Sequence, residues 1–302
     1  MQLFKLTIRP TSPFCTSLYS DTLFGAFCWS YKYIHGEEKL DSLIQQCIDG
    51  KPPLLFSNAF PHDAIPVPLQ VMNFNRDFVR ETDKEIGKRN YQLNKKFKKA
   101  EYITVSAFQS LSEKGFKGEK NTDIIVKSPL SEHDTIRNLV SRDTGIVENR
   151  DGAGNLYAQT ETFTMPESTF DIYIRTDFSI EELRQVLDLM FLLGIGGNKS
   201  VGKGRFSIES LAAASEFGHK NKANAYLLLS NYIPQKSESS KGYYATFIKN
   251  GMLDREFANG HNPYKKPLLF IRSGAVFFTK EEVRNITVDV LPRSLVEMRT
   301  LS

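Results

Sequence analysis

The chain has one tryptophan and three cysteines in its 302 residues, and it contains no long uninterrupted apolar run. A membrane-spanning helix needs about 18 or more consecutive apolar residues, so no membrane partner is expected. The cysteines, at 15, 28 and 47, are odd in number and lack C-x-x-C spacing. That pattern points away from a disulfide framework and from a zinc site, and toward buried thiols. Histidine is scarce too, and none of the five forms H-E-x-x-H or H-x-x-x-H. The His133-Asp134 dipeptide reads as a turn rather than a metal site, no Ser/His/Asp nucleophile motif is present, and neither metal nor cofactor is expected. The first residues, MQLFKLTIRP, alternate like a strand where a charged and then apolar leader would stand, which makes a cytoplasmic location the expectation. No large excess of one charge exists either: 39 Lys and Arg face 35 Asp and Glu. A general polyanion binder is therefore not indicated by the sum, and the distribution of charge has to carry the argument. With 40% hydrophobic and 25% charged residues the composition is that of a folded globular protein, long enough for one large or two medium domains.

What the sequence does have is glycine in one place. Gly194 to Phe206 reads GIGGNKSVGKGRF, with five glycines, three basic residues and no acid. Glycine permits positive φ and lets amides approach a ligand closely, so successive N–H groups can form a nest for phosphate oxygens. Lys199, Lys203 and Arg205 would add charge around it. Two nucleotide motifs fail here. The P-loop pattern runs from Gly197 to Lys203, then meets Gly204 where a magnesium-binding hydroxyl belongs, and G-x-G-x-x-G fails at Lys199. Both of those loops also run from strand to helix, and the order here is reversed. Upstream, Ser179 to Leu193 is an amphipathic helix with a Ser N-cap and two acids in its first turn. Downstream, Arg205 to Leu211 alternates like a strand. The plainer alternative is a flexible helix-to-strand connection.

A helix, a glycine-rich loop and a strand in that order resemble the second half of RAMP proteins of CRISPR systems, whose loop grips the backbone of CRISPR RNA. The start of the chain sharpens the resemblance. Gln2 to Arg9 is a strand ended by Pro10, and the loop after it offers the hydroxyls of Thr11, Ser12, Thr16, Ser17 and Ser20. A helix follows from Asp21 to Ile34, capped by Ser20 or Asp21, with Leu23, Phe24, Phe27, Cys28 and Tyr31 buried. This segment, SDTLFGAFCW, and PPLLFSNAFP at 52–61 are similar to the Cas-five-like RAMP proteins that serve as the fourth Csm subunit of type III-A effector complexes. Asp21 is read as a helix cap, not as the RNA-cleaving Asp of other RAMP subunits.

From 62 to 130 an insertion is expected. Within it Lys84 to Lys99 holds seven basic residues, one Glu, Tyr91 and Phe97. It is either a helix along RNA or an acidic partner face, or a solvated insertion. SEKGFKGEKN at 112–121 is expected to be an exposed turn. Residues 136–163 form two strand-like arms around DGAGN, similar to the family's projecting thumb hairpin. Arg142, Thr144, Gly145, Leu156, Tyr157 and Glu161 match the family pattern there, although Asp143 follows Arg142 directly. Arg137, Arg142 and Arg150 would bring positive charge, and the hairpin either crosses the RNA or docks on a neighbour.

The expected fold is α+β: a ferredoxin-like RAMP domain over 1–211 with the order βαββαβ, and a smaller, degenerate ferredoxin-like domain over 212–302. Strands are expected within Ala225–Asn231, Gly242–Lys249, Pro267–Ser273 and Ala275–Thr279. The resemblance implies a non-catalytic subunit that holds the single-stranded 5′ tag of CRISPR RNA, between a Cas-ten-type large subunit and a Cas-seven-type backbone subunit. The RNA-binding residues it implies are Gly194, Gly196, Gly197, Asn198, Lys199, Ser200, Gly202, Lys203, Gly204 and Arg205, with Arg137, Arg142, Ser12 and Ser17. An endoribonuclease that matures CRISPR RNA is the alternative, and a nucleotide hydrolase would lack its hydroxyl at 204.

Overall fold

The computed structural model describes residues 1–69, 95–97, 99–114, 121–138, 140, 144–147, 156–217, 225–234, 241–254, 264–278 and 288–290. Arg142, Arg150, the segment 148–155 and most of Lys84–Lys99 lie outside them. Of the basic segment, residues 95–97 and 99 are helical, and Phe97 is buried.

A mixed α+β architecture is built around one antiparallel sheet. β1 (Gln2–Pro10) lies between β9 (Phe170–Thr176) and β10 (Phe206–Ala213), and β2 (Leu54–Phe56) and β3 (Phe60–Pro61) pair with β9 on its far side. The strands alternate as the sequence does. Phe4, Leu6 and Ile8 of β1 join Phe170, Ile172 and Ile174 of β9 on one face, where two helices cover them. These are α1 (Ser20–His35) and the helix Ile180–Leu193. The latter buries Leu183, Val186, Leu187, Met190 and Phe191, each contributing about 1.5–3 kcal/mol relative to exposure.

The helix Ile180–Leu193 starts as its sequence dictates: Ser179 accepts a hydrogen bond from the Glu182 amide at 3.2 Å, and Gly194 ends it at φ 85°. The start of α1 corrects the expected cap. Tyr19 is its N-cap residue and gives no side-chain bond, while Ser20 and Asp21 are already inside the helix. Asn58, from the segment after β2, accepts the Ser20 amide at 2.8 Å and so caps the helix from across the chain. Ser20 Oγ is used elsewhere, accepting the Asn231 amide at 3.2 Å. A second helix, α2 (Glu37–Ile48), follows directly after Gly36, whose φ of 89° breaks the two apart.

The other face of the sheet bears a second core. Tyr173 of β9 packs there with Phe60, Ile65, Ile103, Phe108, Ala225, Leu227, Leu229 and Val276. Insertion residues and C-terminal residues thus share one apolar cluster. The insertion contributes a small sheet of β4 (Ala64–Pro66), β5 (Tyr102–Thr104) and β6 (Ile125–Val126), and the helix α3 (Val105–Lys114). Residues 112–114, expected in a turn, are the last residues of α3, where Ser112 is buried and donates to the Gln109 carbonyl at 2.8 Å. The helix Ile180–Leu193 is α4.

Among the described residues the C-terminal strands fall inside the four expected runs except one, at 288–290, which the sequence did not announce. β11 (Ala225–Leu227) pairs with β15 (Val276–Phe278) and β16 (Val288–Val290), β12 (Gly242–Tyr243) pairs with β15, and β13 (Thr246–Lys249) forms a ribbon with β14 (Leu268–Ile271). β7 (Leu130–Asn138) and β8 (Leu156–Thr164) form a separate two-stranded hairpin, longer at its base than the expected 136–163. His133 and Asp134, expected in a turn, lie inside β7, and Asp134 accepts a hydrogen bond from Thr160 at 2.7 Å.

Candidate nucleic-acid interface

The loop between α4 and β10 adopts the backbone its glycines foretell. Gly194, Gly196, Gly202 and Gly204 have φ of 85°, 84°, 84° and 71°, and Asn198 is left-handed at 60°. Gly197 is the exception and has an ordinary φ. At two of these positions glycine is required sterically. A Cβ on Gly204 would stand 2.1 Å from the Ile195 carbonyl oxygen, and one on Gly196 would stand 2.5 Å from Thr16 Cβ. Close approach at these two glycines therefore serves the loop and the neighbouring chain, not a ligand. Gly202 has open space around it.

Hydrogen bonds fix the loop from several sides. Ile195 donates to the Gly204 carbonyl at 2.8 Å, and Gly204 donates to Pro13 at 2.9 Å. The Asn198 carbonyl accepts from Val201 and Lys203, at 3.1 and 3.2 Å. The loop after β1 supplies the rest. Thr16 Oγ1 accepts the Gly197 amide at 3.0 Å, and Ser12 Oγ accepts the Arg205 amide at 2.9 Å. Ser12 is therefore spent on positioning the loop backbone, whereas Ser17 is exposed. Among the described residues the amides of Gly196, Asn198, Lys199 and Ser200 have no partner. Four unpartnered N–H groups thus fall within five residues, around a left-handed Asn.

The cations are arranged less simply. Lys203 Nζ binds Glu161 Oε2 at 2.7 Å, and Lys199 Nζ pairs with Asp254. Arg137 Nη2 of the hairpin binds the other Glu161 oxygen at 2.6 Å. Hydrogen bonding by Lys203 and then by Arg137 holds the Glu161 carboxyl below the usual carboxylate range. Arg205 alone of the loop's three basic residues is exposed and has no carboxylate partner among the described residues.

The hairpin reaches the body of the protein here. Phe14 and Thr162 exchange backbone hydrogen bonds of 3.1 and 2.7 Å, and Gln159 donates to Cys15 Sγ at 3.3 Å. Strand alternation puts Tyr157, Gln159, Glu161 and Phe163 on one face of β8. Tyr157 is 47% exposed and stands directly opposite Arg137 in the register. The sequence offered the Thr16 hydroxyl without its partner and gave no contact for Cys15 or Asp254, because those partners lie far along the chain.

Metal-type ligands converge at His62, Asp63 and Asp171, on the sheet face opposite α1 and α4. Asp171 is fully buried and already saturated. It accepts from Thr7 Oγ1 and the Asp63 amide, both at 2.8 Å, meets Lys5 Nζ at 3.1 Å and lies 3.0 Å from His62 Nδ1. Burial disfavours the charged form of Lys5, but hydrogen bonds from its ammonium to Asp63 and Asp171 outweigh that and raise its pKa. Lys5 is thus the cation of this network, which ties β1 to β9 and has no lone pair of Asp171 to spare for a metal.

The sequence profile of the RAMP superfamily matches residues 15–207, which takes in the end of the loop after β1, the hairpin and the whole glycine loop. The chain belongs to the RAMP superfamily. Within it, the chain is similar to Csm4 proteins of CRISPR systems. It is 26% identical over 254 residues to the CRISPR system Cms protein Csm4 of Thermococcus onnurineus (strain NA1), covering 78% of this chain and 76% of that one. Its fold is similar to that in a Csm1-Csm4 cassette in complex with pppApA, at TM-score 0.59 and 17% identity, covering 97% of this chain and all of that one. It is equally similar, at TM-score 0.59 and 16% identity, to a chain of the Csm3-Csm4 subcomplex in the type III-A CRISPR-Cas interference complex, with 95% and 94% covered. Among the described residues no helix is long and apolar enough to cross a membrane.

Proposed function

We propose that this protein is a non-catalytic subunit that binds single-stranded CRISPR RNA by its 5′ tag and caps one end of a cytoplasmic Csm complex. In that assembly it would stand between a Cas-ten-type large subunit and a Cas-seven-type backbone subunit, as the Csm1-Csm4 and Csm3-Csm4 pairs of its structural relatives suggest. The observation that carries the reading is the cluster of unpartnered amides at Gly196, Asn198, Lys199 and Ser200, beside the exposed Arg205. Amides and one cation suit phosphates read without regard to sequence, while the hairpin beside them separates tag from guide. Arg142 is proposed to add to that hairpin's charge.

The sheet order β10-β1-β9-β2, with α1 and α4 on one face, supports a ferredoxin-like domain over 1–211 with the hairpin as its thumb. Residues 212–302 form a second, smaller unit in this reading. The endoribonuclease alternative has one feature in its favour: His133 stands opposite Glu161 in the hairpin register. Glu161, however, is already engaged by two cations, so it is not a free base for that histidine.

The test is to purify the protein with its complex, extract the bound RNA and sequence its ends. The expected RNAs share one repeat-derived 5′ end. RNA with scattered 5′ ends, or none, overturns the tag assignment. Repeat RNA cut by the purified chain, and spared when His133 is replaced by Ala, would instead establish the nuclease.

A further inference from the structure

We propose that Glu161 is a positioning residue: it clips the hairpin to the glycine loop and so holds Arg137 and Lys203 at a fixed spacing along the RNA path. The proposal rests on the RNA-binding reading above and adds to it how the two halves of the site are kept in register.

Glu161 is 3% exposed in a hairpin whose other residues are almost all open to solvent. Each of its oxygens takes one cation, Arg137 from the opposite strand at 2.6 Å and Lys203 from the glycine loop at 2.7 Å. The carboxylate is the buried member of the trio. The Arg137 and Lys203 side chains remain 29% and 21% exposed, so a phosphate arriving from solvent meets cations before it meets Glu161. Two cations against one anion leave the trio positive.

The clip also sits where it has mechanical effect. Thr162, next in the chain, is paired with Phe14, and Gln159, two residues back, touches Cys15. These contacts join the hairpin to the loop after β1, and the Glu161–Lys203 pair extends the junction to the glycine loop itself. Without the carboxylate, two like charges delivered by separate elements would face each other and repel. The hairpin and loop would then move apart, and Arg137 and Lys203 would no longer present a single surface.

The test compares wild type, Glu161→Gln and Glu161→Asp in the full-length chain, with two readouts. The first is binding of a fluorescent single-stranded RNA bearing the tag sequence, over a range of salt. The second is amide hydrogen exchange across 157–163 and 197–204. Glu161→Gln keeps the shape and loses the charge, so it is expected to weaken RNA binding at least tenfold. Its log–log salt slope should fall by up to about 1.4, two contacts at about 0.7 each. Exchange should quicken in both segments together, and Glu161→Asp should restore part of each effect. RNA binding that stays equal or tightens with a steeper slope would show Glu161 competing with phosphate, and would overturn the proposal. Unchanged exchange in either segment would overturn it as well. Wild-type protein that binds no RNA would sink the RNA reading, and exchange would then decide alone whether Glu161 ties the two elements.

Discussion

The glycine loop and the hairpin that meets it are built in opposite ways. The loop is fixed at nearly every residue, by its own carbonyls, by Pro13, Ser12 and Thr16, and by steric contacts that admit no side chain at 196 and 204. The hairpin is held at its base and along one face, while Ile136 and Leu156 farther out are 72% and 60% exposed. The difference separates two kinds of recognition. In the proposed function, a loop whose backbone is fixed in advance would give up little entropy on taking an anion, and its amides would accept a phosphate whatever base is attached. A two-stranded ribbon is marginal alone, so its outer part gains its order from whatever lies along it.

The largest expected effect comes from breaking the loop's rigidity. Gly204→Val would put a Cβ about on top of the Ile195 carbonyl at a φ of 71°, and should cost on the order of 3 kcal/mol or more, seen as a lower midpoint in urea unfolding. Gly202→Ala, at φ 84° with open space around it, should cost only about 1 kcal/mol. Equal losses at the two positions would mean that φ alone, and not the packed backbone, sets the loop's shape.

Next in size is the separation of a free cation from paired ones. Arg205→Ala should leave stability unchanged, weaken RNA binding by roughly 1.5 kcal/mol and lower the salt slope by about 0.7. Lys199→Ala should act chiefly on stability, because its ammonium already belongs to Asp254. A larger slope change at 199 than at 205 would reverse the roles assigned here.

The hairpin side of the contrast is tested by shortening residues 144–155 to an Asn-Gly turn. Unfolding free energy should move by less than about 0.5 kcal/mol, while protection of the tag-guide junction falls in footprinting of the assembled complex. A junction equally protected in a complex that falls apart would make the hairpin a docking element. The smallest effect is a control on the far face of the sheet. The hydrogen bond from Lys5 lowers the Asp63 pKa, so this carboxylate stabilises the fold above the ordinary carboxylate range and loses its contribution as pH falls through the lowered value. Because Asp63 is largely exposed, Asp63→Asn should remove only about 0.5 kcal/mol of stability near neutral pH, with a flatter acid branch and no change in RNA binding.

These predictions mix what the sequence announces with what it hides, and the division follows distance along the chain. Ser179 capping α4, Gly194 ending it and the positive φ of the loop glycines are local matters, and local residue choice displays them. The cap of α1 is not local: Asn58 supplies it, so Ser20 and Asp21 mislead. Lys199 and Lys203 look like free charge because Asp254 and Glu161 lie 55 and 42 residues away. His133 and Asp134 look like a turn because the pairing that makes them a strand is with Thr160 and Glu161. α2 announces itself weakly, with Gly36 in place of a side-chain cap and a single buried residue, Leu43. The hairpin was legible as two alternating arms, whereas its anchoring through Phe14, Cys15 and Glu161 was not.

The ties from residues 249 and 254 also fix when the site can be finished. Lys249 closes on Asp21, 228 residues earlier, and Asp254 closes on Lys199. A ribosome adding roughly 5–20 residues per second needs on the order of ten to fifty seconds to travel from β1 to residue 254. β1 waits for β10 only until residue 213 is made, and the glycine loop then waits for its last tether. A nascent chain halted between 213 and 249 would therefore show a paired central sheet and a loop with one lysine still unclaimed, and RNA capture would be timed by the ribbon's arrival rather than by the loop's own synthesis.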